Sequence, residues 1–293
     1  MTDAKHLEKL KGTNRRAGRK IGGSICIFVF LLLLGIFMVF PIYFAIINAL
    51  KPVQELFLFP PKMYVMNPTF DNFKDLLTVA SNLWVPFSRY VFNSLFVTAA
   101  ISVAHVFVCC MASYVLAKCT FPGSKFFNEL IVLSLLYTSN VIYIMQYMVI
   151  AELNLINTYW ALILPVIPST MGLYLMRQCM GQIPNAMIEA AKVDGASNFR
   201  ICWGIVMPNS KPALMTMIIF IFQAAWNTTG GSFVFNEAYK PLPTIIQQIG
   251  AAGLARAGVQ AAGVIVLLIP PVLVFIIAQK NVLETMAHSG IKE

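Results

Sequence analysis

Apolar positions gather into six long blocks, at 21–50, 90–117, 130–150, 160–176, 213–235 and 259–279, and no Asp, Glu, Lys or Arg interrupts any of them. A helix needs about 20 consecutive apolar residues to cross the hydrocarbon core of a bilayer. Period-two alternation is absent, which excludes barrel strands, whereas a helix satisfies its own backbone hydrogen bonds in lipid. The pattern therefore predicts an all-α membrane protein with six transmembrane helices. The first block is too long for a signal-peptide core and lacks a clear cleavage site, so it is read as a retained span. Pro165, Pro168, Pro270 and Pro271 fall inside blocks, where they are expected to kink helices rather than end them.

Composition strengthens this reading. Of 293 residues, 58% are hydrophobic and 11% charged, against about 25% charged in soluble domains. The net charge of +9 is spread through the segments between blocks. No basic face with interleaved aromatics occurs, so nucleic acid is not an expected partner. The polar segments divide the chain into a basic tail (1–20), the first span (21–50), an external loop (51–88), a core (89–280) containing an inner loop at 181–212, and a tail (281–293). Placing both termini inside puts fifteen Lys and Arg on the cytoplasmic side and six outside. The positive-inside rule selects that orientation. In the external loop Phe70, Phe73, Leu76 and Leu77 recur at helical spacing, which predicts a short helix on the membrane surface. The six cysteines form no C-x-x-C and no Cys/His cluster, so reduced thiols are expected and no metal site.

Charge-free spans offer no evident ion relay, which argues against an ion-coupled secondary carrier. No G-x-x-x-x-G-K-[ST] loop is present, so this chain lacks the usual means of binding ATP, and no hydrolase motif appears. Catalysis is not expected on it.

Function points to the inner loop at 181–212. Asn185 is a candidate N-cap, and Met187, Ile188 and Ala191 give a partly apolar face. Gly195 is placed to end a helix in a left-handed conformation, and Ser197 to cap a second helix ending near Pro208 and Pro212. The predicted result is a compact bent knob, with Ala190 and Ala191 small enough to let another surface approach closely.

The run Glu189-Ala190-Ala191, three residues, Gly195, nine residues, Ile205-Val206-Met207-Pro208 resembles the signature of permease subunits of binding-protein-dependent ABC importers. It departs only at Met207, where the family pattern has Leu. Asp194 to Ser197, Phe199, Lys211-Pro212, Trp226-Asn227 and Pro241-Leu242-Pro243 look like the carbohydrate branch, in particular the maltose-type second permease. The tail keeps Thr285, Gly290 and Lys292 of the family's glycine-rich ending but loses two glycines. The resemblance covers roughly 20–293.

This resemblance implies a type I importer permease fold in a bacterial or archaeal cell membrane. It implies a heterodimer with a related permease, two ATPase subunits that carry ATP and Mg, and an extracytoplasmic solute-binding protein that delivers a sugar. No cofactor is expected on this chain. Coupling to the ATPase would run through Glu189, Ala190, Ala191, Asp194, Gly195, Ile205 and Pro208. A permease for a non-sugar solute and an ion-coupled carrier are the alternatives.

Less specific signals concern the path. Asn140, Tyr143 and Tyr147 share one helical face with Gln146 beside it, a set suited either to sugars or to helix–helix contacts. Gln223, Trp226 and Asn227 precede a polar break in the fifth block, and irregular backbone at membrane depth belongs where it lines a cavity or is packed by protein. His105 is read as a helix–helix hydrogen bond. Asn236, Glu237 and Tyr239 lie in an outer stretch, 232–258, expected to meet the binding protein.

Overall fold

The computed structural model describes residues 21–81, 85–136 and 139–290, with side chains described among these except at 21–24, 79–81, 139–141 and 280–290. Among the described residues the secondary structure is entirely helical. In chain order the main helices are α1 (Ile21–Leu50), α2 (Asp71–Ser81), α3 (Phe87–Lys118), α4 (Ser124–Ser134), α5 (Ser139–Glu152), α6 (Tyr159–Ile163), α7 (Thr170–Gly181), α8 (Asn185–Val193), α9 (Asn198–Ile201), α10 (Lys211–Trp226), α11 (Leu242–Ala251) and α12 (Ala257–Gly290).

Among the described residues, three helical stretches are long and apolar enough to span a bilayer alone: Ile25–Leu50, Phe87–Lys118 and Leu254–Gln279. Asn198–Asn209 and Lys211–Trp226 meet this test only as a pair, bent by 89°. The fourth and third blocks are not single helices. The stretch 160–176 is divided into α6 and α7, and 130–150 into α4 and α5.

The prolines explain one division. Pro165 and Pro168 end α6 instead of kinking it, because two rings three residues apart remove two N–H donors in succession, although Leu164 itself keeps helical backbone. Pro270 and Pro271 do sit inside a continuous helix, α12, as expected. Pro271 has no N–H to give Leu267, and the Leu267 carbonyl is taken instead by Trp226 Nε1 at 3.0 Å.

α3 is the axis of the molecule, packed against both α7 and α10, while α12 joins α10 to α1, α2 and α11. At one end, Leu76, Tyr90, Leu242, Ile245 and Val259 form a buried cluster. The helix predicted in the external loop is α2. Its inward side carries Leu76 and Asn72, whose amide donates to the Ala49 and Lys51 carbonyls at 2.8 and 2.7 Å and so satisfies the end of α1. Nearby, Glu55 accepts the Met66 and Asn67 amides, which holds its carboxyl below the ordinary range. Asn93 donates to the Ala238 and Lys240 carbonyls at this same end. Lys118 and the segment 181–185 lie together at the other end.

His105 bridges helices as predicted, its Nδ1 lying 2.6 Å from the Ile167 carbonyl. A carbonyl only accepts, so Nδ1 carries the proton. The ring fits because residue 172 is glycine: a Cβ there would stand 2.4 Å from His105 Nε2 and 3.0 Å from Met217 Cγ. Gly172→Ala is expected to cost about 1–3 kcal/mol through overpacking. Thermal unfolding of the purified protein should show that loss, and His105→Ala in the same chain should recover part of it.

Candidate functional site

Between α7 and α10 the backbone forms the bent knob. α8 ends in a double turn in which Ala196 N donates to Ala191 O and Gly195 N to Lys192 O, both at 3.0 Å. Gly195 has φ +77°, the left-handed conformation this motif requires. Ser197 caps α9, its side chain accepting from Arg200 N at 3.4 Å. α9 then widens into a π-helical turn, Cys202–Val206, before Met207–Asn209. The run stops at Ser210, and Pro212 stands in the first turn of α10, where a missing N–H costs nothing. Pro212 thus starts a helix and does not end one.

One side of this knob belongs to the protein's own interior. Ile188, Ala191, Ile201, Val206 and Met207 pack with Cys110 and Tyr114 of α3, Met176 and Met180 of α7, and Met217 of α10. Each large apolar side chain buried there contributes about 1.5–3 kcal/mol. Ala191 is therefore not available for contact with another surface, contrary to expectation, because helical spacing aligns it with Ile188 on the inward face. Ile205 is half-buried against the same cluster, and Pro208 is exposed.

The opposite side is open. Ala186, Glu189, Ala190 and Val193 form the outward ridge of α8, with Val193 88% exposed. Asp194 and Gly195 continue it, and Phe199 of α9 is exposed beside them. Asn185 does not cap α8. It is the first helical residue, after Pro184, and its Oδ1 accepts from Lys118 Nζ at 3.0 Å. Of the predicted contact set, Glu189, Ala190, Asp194, Gly195 and Pro208 are reachable from outside, while Ala191 supports them from within.

A second feature is a cavity of about 540 Å³ between α5, the α6–α7 break and the end of α10. Tyr143 and Gln146 line it with Ser134, Ser169, Thr170, Thr228, Thr229 and Phe233, and no charged side chain is among the lining residues. The polar break in the fifth block thus reaches the cavity wall through its two threonines. Tyr143 also accepts the Ser232 amide at 2.9 Å and meets the Phe233 ring at 5.1 Å. Tyr147 stacks on Phe233 at 6.2 Å. The Asn140 side chain lies outside the described residues.

Gln223, Trp226 and Asn227 do not line this cavity. Trp226 is 3% exposed and committed to Leu267, so a path role does not fit it. The Asn227 amide folds back onto the Gln223 carbonyl at 2.9 Å. Ser169 and Thr170 were not among the predicted residues. Their signal was the proline pair, since a helix broken at membrane depth must line a cavity or be packed by protein.

In the outer stretch, Glu237 is held by Lys240 Nζ and by Tyr90 Oη at 3.3 Å. Tyr239 meets Tyr159 edge to face at 5.0 Å. Asn236 caps the short turn Glu237–Tyr239.

No family model matches the chain. Its relatives include the sn-glycerol-3-phosphate transport system permease protein UgpE of Yersinia enterocolitica, 28% identical over 267 residues, covering 85% of this chain and 91% of that protein. Protein LplC of Bacillus subtilis is 26% identical, covering 95% of this chain and 97% of its own length. In fold the chain resembles a bacterial ABC transporter involved in the import of the acidic polysaccharide alginate, with a TM-score of 0.75 at 20% identity over 90% of this chain and 97% of that one. The probable ABC transporter permease protein YurM of Bacillus subtilis is 30% identical over 280 residues, 92% of this chain and 89% of the relative. The chain, a multi-pass membrane protein, therefore belongs to the ABC transporter permeases.

Proposed function

We propose that this permease forms half of the translocation path for a sugar or oligosaccharide in a binding-protein-dependent importer. Six membrane crossings with both termini cytoplasmic follow when α1, α3, α10 and α12 each cross once and α4 with α5 and α6 with α7 each serve as one span. Its partner in the membrane is a second, related permease. Two ATPase subunits bind ATP and Mg on the cytoplasmic side, and a solute-binding protein delivers cargo at the end that carries α2 and the segment 232–258. The system sits in a bacterial or archaeal cell membrane, and hydrolysis takes place on the partners.

The observation that carries this reading is the knob. Its inner face is fixed by apolar burial and its outer ridge is narrow, small and bare around Glu189 and Ala190. A projection held this firmly moves as a body when a partner grips it. Glu189 supplies a polar contact to the ATPase, Ala190 allows close approach, and Gly195 sets the turn between α8 and α9. Pocket chemistry supports a sugar cargo: the hydroxyls of Tyr143, Ser134, Ser169, Thr170, Thr228 and Thr229 and the Gln146 amide share the lining with Phe233 and Leu162. UgpE is named for a phosphorylated cargo. A wall with no charged side chain fits an uncharged, polyhydroxylated molecule better, since a buried anion needs a cation beside it.

Two outcomes are expected. Gly195→Val should insert and assemble normally yet lose uptake by about tenfold or more, because a β-branched residue is strained at positive φ, whereas Gly195→Asn should retain more. Uptake of sugars retained by the cognate binding protein, measured beside membrane abundance, checks this; normal uptake by the valine variant would contradict the coupling role. Gln146→Leu should change relative uptake among neutral sugars, while Trp226→Phe should lower thermal stability by about 1 kcal/mol without changing that ranking. Competition uptake assays and unfolding curves separate the two.

A further inference from the structure

Three segments converge on one ammonium group. Lys118, in the last turn of α3, donates to the Gly181 carbonyl at 3.2 Å, to the Ile183 carbonyl and to Asn185 Oδ1 at 3.0 Å. Gly181 ends α7 and Asn185 begins α8. The carbonyl end of α7 carries the negative end of its dipole, so a cation there is favoured. No described carboxylate pairs with Lys118, and its donors are spent on neutral acceptors.

The same face of α3 holds the knob at two further levels. One turn earlier, Tyr114 Oη donates to Asn198 Oδ1 at 3.4 Å, at the start of α9, and Tyr114 is 2% exposed. A further turn back, Cys202 Sγ approaches the Cys110 carbonyl at 4.0 Å. Positions 110, 114 and 118 are spaced by four, a single stripe along one helix. Toward α10 the knob turns through the 89° elbow at Ser210 and packs on Met217, an apolar contact with no hydrogen-bonded stripe like that along α3.

We propose that Lys118 is the latch that makes the knob and α3 one moving body, so that displacement of α8 reaches the cavity along α3. Thirteen residues before Lys118, about 20 Å along the helix, His105 grips Ile167 in the α6–α7 break. Pro168, Ser169 and Thr170, just beyond Ile167, line the cavity. Latch, helix shaft and grip thus form a continuous chain of contacts from the knob to the cavity wall. Lys118 is a positioning residue: it touches neither nucleotide nor cargo. The inference rests on the proposal that the knob engages an ATPase.

The test uses the assembled importer in liposomes with Ser169→Cys as reporter and a membrane-impermeant maleimide as probe, corrected for labelling of the chain without that substitution. With Lys118 intact, trapping the ATPase with vanadate should change the labelling rate by about fivefold or more, the lower range of ordinary coupling between sites. Lys118→Met should keep ATP hydrolysis but remove that response, and Lys118→Arg should restore part of it. A full response from Lys118→Met overturns the latch. Should Lys118→Met fail to assemble, Asn185→Ala combined with Tyr114→Phe decides by the same readout: a diminished response supports the latch, and an unchanged one overturns it. If Gly195→Val loses the response while Lys118→Met keeps it, the latch alone fails. If Gly195→Val also keeps it, the coupling role of the knob fails as well.

Discussion

Burial of the inner faces of α8 and α9 against α3, α7 and α10 is the constraint that gives the permease its shape at this end. A polar loop outside a membrane has every reason to be mobile. Here Ile188, Ala191, Ile201, Val206 and Met207 tie it to spanning helices, and the double turn at Gly195 closes the backbone between them. The cost of ordering the loop is offset by apolar area removed from water. What remains outside is a ridge of mostly small side chains with two carboxylates, Glu189 and Asp194.

Along the longer helices the organising fact is different: backbone groups freed where a helix breaks or holds proline must find partners. Trp226 takes the Leu267 carbonyl that Pro271 leaves, and at the α6–α7 break His105 joins the Ser169 amide on the Ile167 carbonyl. Both partners are side chains from neighbouring helices, so each break also becomes a tie between helices. The polar wall of the cavity arises from the same breaks, since Ser169, Thr170, Thr228 and Thr229 all stand in or next to irregular backbone. Broken helices therefore create the site and fix its walls together.

Local features were legible in the sequence. The Gly195 turn and the Ser197 cap depend on a few neighbouring residues, and both stand where spacing placed them. Orientation of side chains around a helix was less accessible. Ala190 and Ala191 are identical in chemistry, yet one faces out and one in, which only the positions of α3 and α7 decide. The four prolines make the same point. The adjacent pair at 270 and 271 is carried within α12, while the pair spaced by three residues at 165 and 168 ends a helix. Lys118 looked like an ordinary basic residue at a span end, and its three acceptors lie more than sixty residues away. Trp226 was placed in the path by its polar neighbours, and only the freed carbonyl of a remote helix shows its actual partner.

On the proposed function, the outward ridge of α8 seats on an ATPase. A photo-crosslinking residue placed at Ala190, exposed and clear of the buried cluster, tests this directly in the assembled importer. Irradiation should join this chain to the ATPase subunit. Crosslinks to lipid or to the solute-binding protein, with none to the ATPase, would contradict the account.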